Sequence, residues 1–277
     1  MRRVKTGARL AAVAGFLLAS GGGFVPASGG WPVTAALAQA AAQPEAPSVC
    51  EMPADLTVPD GPLVRVAAAI GKGGLDILAL GSGSTVGDSG AAAGPALAYR
   101  APGGSFPYRM IDALRAMKPD VRFDMTVAGG RNMTADAMLA ILRHELTTRH
   151  FDLVLWQTGT VEAVQGLRPD VLHGVLQEGA DVAEAAHADL VLIDPQFSRF
   201  LRANADLAPY ETVLTQMATM PTVSLFHRFD LTQDWVTSGQ VDLERVGRDQ
   251  RDKTIGLLND CLGQALARFV LAGAAER

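Results

Sequence analysis

LDILALGSGSTVG, residues 75–87, is the stretch that decides the fold of this chain. Residues 77–80 form a short apolar run, and the sequence then changes abruptly to glycine and serine. Such a run predicts a buried strand that ends in a functional loop. Because open α/β sheets bind ligands at the carboxyl ends of their strands, residues 81–85 are the first candidates for a site.

Strand and helix patterns alternate along the rest of the chain. Apolar runs predict strands at residues 75–80, 121–127, 153–156, 190–193 and 222–225. Helical spacing predicts helices at residues 62–70, 105–117, 135–148, 169–188, 207–220 and 248–273. This order predicts an α/β fold in which helices cover both faces of a five-stranded parallel sheet. We expect one domain, residues 50–277.

The N-terminus has the pattern of a secretory signal peptide. Arg2, Arg3, Lys5 and Arg9 precede an apolar run at residues 10–19, and Ala36-Leu37-Ala38 fits a cleavage site. We therefore predict a signal peptide at residues 1–38, a flexible leader at residues 39–49, and a periplasmic or secreted mature protein. The alternative is a membrane anchor, which requires about 20 apolar residues.

The composition argues against nucleic acid as a partner. A net charge of −5, without a dense basic run after the first ten residues, argues against nucleic-acid binding.

In an exported protein, the two cysteines, Cys50 and Cys261, are expected to form a disulfide; two buried free thiols are the alternative. No histidine or cysteine cluster has metal-ligand spacing, so we expect no metal and no cofactor.

The glycine loop superficially matches a dinucleotide-binding fingerprint. Gly81, Gly83 and Gly87 directly follow a strand, as that motif requires. No helix is predicted to open after Gly83, and no acidic residue ends the second strand. We therefore reject NAD binding.

Three segments resemble the SGNH (GDSL-type) hydrolases: ILALGSGSTVG (77–87), VAGGRNMTADAML (127–139) and DLVLWQTGTVEA (152–163). The resemblance implies a flavodoxin-like three-layer α/β/α sandwich. In that family a serine attacks an ester, backbone and side-chain donors form an oxyanion hole, and a late histidine takes the proton. These parts are needed because a hydroxyl without a base is a weak nucleophile and the oxyanion needs fixed donors.

The family's signature positions carry other residues in this chain. The nucleophile position falls on Gly83, the oxyanion glycine on Asn132 and the oxyanion asparagine on Val161. The base falls near Asp252 or Lys253, and no histidine follows His227. The resemblance therefore implies a hydrolase fold that has lost its chemistry. Candidate pocket-lining residues at the strand ends are Gly81, Gly83, Asn132, Val161, Glu162, Asp194 and Gln196.

Three hypotheses of function follow. The first is an exported, non-catalytic protein that binds an acylated glycan or an envelope protein at the cleft. The second is an active esterase or acyl transferase on envelope polysaccharide, in which Ser84 or Ser82 attacks; the competing interpretation is that both serines only stabilise a turn. The third is an accessory docking subunit of a polysaccharide-assembly system.

Overall fold

The computed structural model describes residues 50–87 and 104–275. The predicted signal peptide and leader, and most of the glycine-rich segment that follows the first strand, lie outside the described residues. The described residues all belong to one compact unit, Glu45–Arg277.

The core of this unit is a five-stranded parallel sheet with the order β2-β1-β3-β4-β5. Its strands are β1 (Gly74–Gly81), β2 (Arg122–Gly129), β3 (Leu153–Gln157), β4 (Asp189–Ile193) and β5 (Val223–Phe226). All five predicted strands are present. The central strands β3 and β4 are buried on both faces and are mainly apolar, as expected for a parallel sheet, whereas the edge strand β2 is only partly buried. From β1 the chain first adds β2 on one side and then β3 on the other, so the strand order reverses between β1 and β3. Open α/β sheets bind ligands at such a switch point.

Ten α-helices surround the sheet within the described residues. They are α1 (Val64–Gly71), α2 (Gly83–Val86), α3 (Phe106–Met117), α4 (Ala135–Thr148), α5 (Thr160–Gln165), α6 (Pro169–Ala185), α7 (Arg199–Asn204), α8 (Ala208–Met217), α9 (Arg228–Thr237) and α10 (Arg251–Ala274). Short 3-10 helices occur at Ala54–Leu56 and Arg248–Gln250. The predicted three-layer α/β/α architecture is confirmed.

One local prediction was wrong, because a helix does open at Gly83. The Ser82 carbonyl accepts from the amides of Thr85 and Val86 at 3.0 and 3.1 Å, which closes the single turn of α2. The side chain of Gln157, at the end of β3, holds this turn, so the residues of the turn alone do not predict it. One turn is much shorter than the helix that opens a dinucleotide fingerprint.

Alternate residues of β1 pack into two separate cores. Ile77 and Ala79 face α1, α3, α9 and α10, whereas Leu78 and Leu80 face α4, α6 and α8. Trp156 is fully buried in the second core, as predicted for a core residue. Its ring lies where a side-chain carbon on Gly179 would have to be, so glycine allows α6 to approach β3 closely.

The last helix is central to the first core. By length and composition alone, the helix Arg248–Ala274 could span a membrane, and it is the one such helix among the described residues. Core helices of soluble proteins pass the same test, and here ten residues of α10 are buried within the fold. Cys261 on α10 is disulfide-bonded to Cys50, with 5.7 Å between the Cα atoms, so the predicted pairing is confirmed.

Candidate functional site

A cleft of about 390 Å³ opens at the carboxyl ends of the strands, beside α2. The turn after β1 contributes Gly83 and Ser84, and the loop after β4 contributes Gln196. The remaining described lining residues are Gly87, Gly104, Ser105, Arg131, Leu243, Ile255, Leu258 and Asn259. Three of the predicted site residues, Gly83, Ser84 and Gln196, therefore share one cleft.

The glycine loop is fixed by a glutamine at the end of β3. Gln157 is 2% exposed, and its Oε1 accepts from Ser82 N at 3.3 Å, Ser84 Oγ at 3.1 Å and Thr85 Oγ1 at 2.8 Å. A backbone amide can only donate, so the amide oxygen, not the nitrogen, must face the loop. Gln157 thus holds both candidate serines and the first turn of α2.

Ser105 joins the same cluster from the other side. It occupies the N-cap position of α3, as expected, but its hydroxyl makes no capping bond. The hydroxyl donates instead to the Thr85 carbonyl at 2.5 Å. This bond ties the start of α3 to the glycine loop and fixes one wall of the cleft.

A buried arginine lies behind Ser84. Arg228, the first residue of α9, is 3% exposed; its Nη1 donates to Ser84 Oγ at 3.3 Å and its Nη2 to Gln196 Oε1 at 3.4 Å. Burial lowers the pKa of its guanidinium to about 10. Because Arg228 can only donate, the Ser84 hydroxyl accepts from it and directs its own proton to Gln157.

Asp194 is buried beneath the cleft at the end of β4. Its Oδ1 accepts from Phe229 N at 2.8 Å, which satisfies one amide in the first turn of α9. Burial raises the pKa of this carboxyl well above its usual range. Asp194 was predicted to line the pocket, but the structure places it behind the described lining residues, where it supports α9.

Glu162 is also turned away from the cleft. Its Oε1 accepts from Ala135 N at 2.6 Å and its Oε2 from Gly159 N at 2.9 Å. At 3% exposed, this carboxylate satisfies amides at the starts of both α4 and α5. The structure therefore gives the candidate pocket residue Glu162 a capping role.

The other predicted positions are distributed around the site. Gly81 is buried, and a side chain there would overlap Thr85. Asn132 is exposed, with a left-handed φ of 58°, and Val161 is half-buried at the start of α5. None of these three is among the described residues that line the cleft. Ser82 is buried, with its amide bonded to Gln157.

No basic partner for either serine is found in the described part of the chain. The Ser84 hydroxyl forms hydrogen bonds with Gln157 and Arg228, neither of which can accept a proton at neutral pH. His227 lies at the start of α9, with its Nδ1 3.9 Å from the Asp230 carboxylate. The described residues also contain no cluster of three or more His, Cys, Asp or Glu that could hold a metal ion.

Sequence reasoning did not assign roles to Gln157 and Arg228. A signal existed for Gln157, because a polar residue that ends an otherwise apolar buried strand, LVLWQ, needs a partner. Arg228 had no comparable signal, since an arginine at a helix start is ordinarily solvated.

Replacement of Gln157 by leucine is expected to destabilise the protein by about 2–5 kcal/mol. The reason is that two buried donors, Ser82 N and Thr85 Oγ1, lose their acceptor, at about 1–3 kcal/mol for each unsatisfied group. Urea unfolding of Gln157→Leu measures this loss. Gln157→Glu keeps the acceptor and serves as the comparison; equal stability of wild type and Gln157→Leu would show that the cluster contributes little.

Solved structures with a similar architecture include esterases and other α/β hydrolases. LAE5, an α/β hydrolase from the metagenome of Lake Arreo, Spain, is 15% identical with a TM-score of 0.51 over 68% of this chain and 96% of its own. CEX, a two-domain esterase active on acetylated mannans, is 12% identical with a TM-score of 0.50 over 76% of this chain and 56% of its own. AlinE4, an SGNH-hydrolase family esterase, is 17% identical with a TM-score of 0.47 over 63% of this chain and 86% of its own.

These likenesses show that the chain shares the α/β fold of these hydrolases. The chain belongs to the non-GDSL lipase-like family, whose model matches residues 49–276. No curated protein sequence matches it significantly.

Proposed function

We propose that this protein is an exported, non-hydrolytic member of its family that binds a cell-envelope glycan at the cleft beside α2. The observation that carries the proposal is the pair of partners of Ser84. Its hydroxyl lies between a neutral amide oxygen at 3.1 Å and a guanidinium at 3.3 Å, and neither can act as a general base. Gly83, at the position expected for the nucleophile, has no side chain to attack with.

The loss of rate expected from the missing catalytic residues is large, which favours binding over catalysis. Loss of the serine or the histidine of a serine-hydrolase triad removes roughly a millionfold in kcat. An oxyanion hole without its asparagine loses about a further hundred- to thousandfold. The cleft remains open and keeps hydrogen-bonding groups on Ser84, Gln196 and Asn259, which are suited to sugar hydroxyl and acyl groups.

Glycan is proposed as the ligand for two reasons. The predicted signal peptide would deliver the chain to the envelope, and CEX, which shares the fold, acts on acetylated mannans. Acetylated manno-oligosaccharide is therefore the first probe. An accessory role in polysaccharide assembly would use the same cleft and predicts the same binding.

We expect the purified protein to bind the acetylated oligosaccharide in calorimetry while releasing acetate only at background rate between pH 6 and 9. A fluorophosphonate probe should leave Ser82 and Ser84 unlabelled, as read by peptide mass spectrometry. Stoichiometric labelling of Ser84, together with turnover that disappears in Ser84→Ala, would establish the active esterase instead.

A matched pair of glycine variants locates the binding site. A side-chain carbon at Gly83 meets nothing within 4 Å, so Gly83→Leu should fold normally and block the cleft. Gly174→Leu has the same open surroundings, on α6. Binding should be lost in the first variant and kept in the second; equal binding by both would place the ligand elsewhere.

A further inference from the structure

Arg228 is a buried cation that no described carboxylate contacts directly. Arg228 makes no salt bridge within the part of the chain that the structure describes, and its Nε, although buried, has no hydrogen-bond partner. Its two hydrogen bonds, at 3.3 and 3.4 Å, are long and go to neutral oxygens. The guanidinium carbon also lies 5.5 Å from the centre of the Phe106 ring, a favourable cation–π contact.

The described carboxyl whose charge acts on Arg228 is Asp194, but the two side chains form neither a salt bridge nor a hydrogen bond. The Asp194 Oδ1 accepts instead from Phe229 N, and burial raises the pKa of this carboxyl. Arg228 also stands in the first turn of α9, where the helix dipole is positive and disfavours a cation. The guanidinium still stays protonated at neutral pH, since its pKa is lowered only to about 10.

The cleft in front of Arg228 has a matching lack of acidic groups. None of its described lining residues is aspartate or glutamate, and the one charged residue among them is Arg131. This contrasts with the chain as a whole, whose net charge is −5. Ser84 and Gln196 belong to the cleft lining and also bond Arg228, so they connect the open space to the buried charge.

A buried charge without a partner is costly, and burial of this kind is concentrated at functional sites. We infer that the ligand supplies the counter-ion: the cleft recognises a carboxylate of an acidic glycan, such as a uronic acid residue, through Arg228. This inference rests on the proposed function and narrows its ligand class. It assigns Arg228 to binding, with Ser84 and Gln196 as the residues that the carboxylate contacts first.

A carboxylate suits the geometry better than a neutral acyl group. The planar guanidinium fork pairs with two carboxylate oxygens, and its present bonds to Ser84 and Gln196 are weak enough to be exchanged. Gln196 turns its Oε1 to Arg228, which leaves its amide NH₂ as a donor for an anion. Both interactions favour a negatively charged group.

The test compares trigalacturonate with its methyl ester, which has the same sugar skeleton without charge. In calorimetry we expect wild-type protein to bind the acid at least about tenfold more tightly than the ester, which corresponds to about 1.4 kcal/mol. The preference should weaken with added salt. Equal affinity for both compounds overturns the carboxylate inference and leaves the proposed function standing, as does binding of the acetylated manno-oligosaccharide alone.

A carboxylate introduced beside Arg228 by mutation gives a second test, which does not depend on the choice of glycan. Gln196→Glu places a carboxylate beside Arg228, so it should raise the Tm by about 2–4 °C for a chain of this size and abolish the preference for the acid. Gln216→Glu makes the same change on the exposed surface of α8 and should alter neither. A lower Tm for Gln196→Glu than for Gln216→Glu overturns the inference, because it shows that Arg228 already has its negative charge.

Discussion

Gly129→Ala is expected to lower the free energy of unfolding by roughly 2–6 kcal/mol, the sum of about 1–3 kcal/mol of backbone strain and about 1–3 kcal/mol of overpacking. Gly129 ends β2 with a φ of 126°, a conformation that alanine rarely adopts. A side-chain carbon there would also overlap the backbone oxygen of Gly81, its partner in the sheet. The Gly81 oxygen is a backbone atom, so it cannot move aside as the end of a flexible side chain could.

The effect should reach the cleft, because Gly81 is followed directly by the residues of α2. Displacement of its carbonyl would also disturb the bond that this oxygen accepts from Gly130 N at 3.2 Å. Urea unfolding monitored by circular dichroism measures the stability loss. Gly130→Ala is the control: its new carbon would meet only the end of Met133 at 3.5 Å, and we expect a change of less than about 1 kcal/mol. Equal stability of the two variants would contradict the strain argument.

Loss of the disulfide is expected to cost about 5 kcal/mol, because the value of about 4.7 kcal/mol for a 100-residue loop rises slowly with loop length. Cys50 and Cys261 are 211 residues apart in sequence, so the bond removes much freedom from the unfolded chain. It also holds the segment beside Glu51, whose carbonyl accepts from Trp235 Nε1 at 2.6 Å. Since many domains are stable by only about 5–15 kcal/mol, the loss would be a large fraction of the total.

Unfolding of wild type and the Cys50→Ala/Cys261→Ala double variant, each with and without a reductant, measures this contribution. The chain has two cysteines, so the reductant has one target. Reductant should lower the urea midpoint of wild type to that of the variant and leave the variant unchanged. A wild-type midpoint that does not respond to complete reduction would refute the prediction.

Regular elements that carry their own signals were predictable. Helix α4 was predicted with both ends correct, because Thr134 supplies a local cap, accepting from Ala137 N at 3.5 Å, and the apolar positions recur at helical spacing. The strands were predicted to within two residues at each end, since apolar residues dominate most of them and glycine, proline or polar residues flank them. Information of this kind lies within a dozen neighbouring residues.

Four short helices were missed, and distant residues stabilise three of them, α2, α7 and α9. The carboxylate of Glu244 accepts from Ser198 Oγ at 2.7 Å and from Phe200 N at 3.0 Å at the start of α7, more than forty residues earlier in the chain. Asp194 likewise accepts from an amide in the first turn of α9, and Gln157 accepts from a hydroxyl in α2. Helices shorter than about 12 residues are marginal on their own, so their existence depends on contacts that no local pattern contains.

The sequence by itself determined the parallel α/β architecture, the pairing partner of each cysteine and the position of the glycine loop at a strand end, because periodicity, turn residues and the presence of only two cysteines specify these. Tertiary structure decided the chemistry of that loop. It brought Gln157 and Arg228 to Ser84, and turned Glu162 and Asp194 toward helix starts. Burial arises only when remote segments meet, so an arginine that has the pattern of a surface residue in the sequence becomes, in the folded chain, a buried charge behind Ser84.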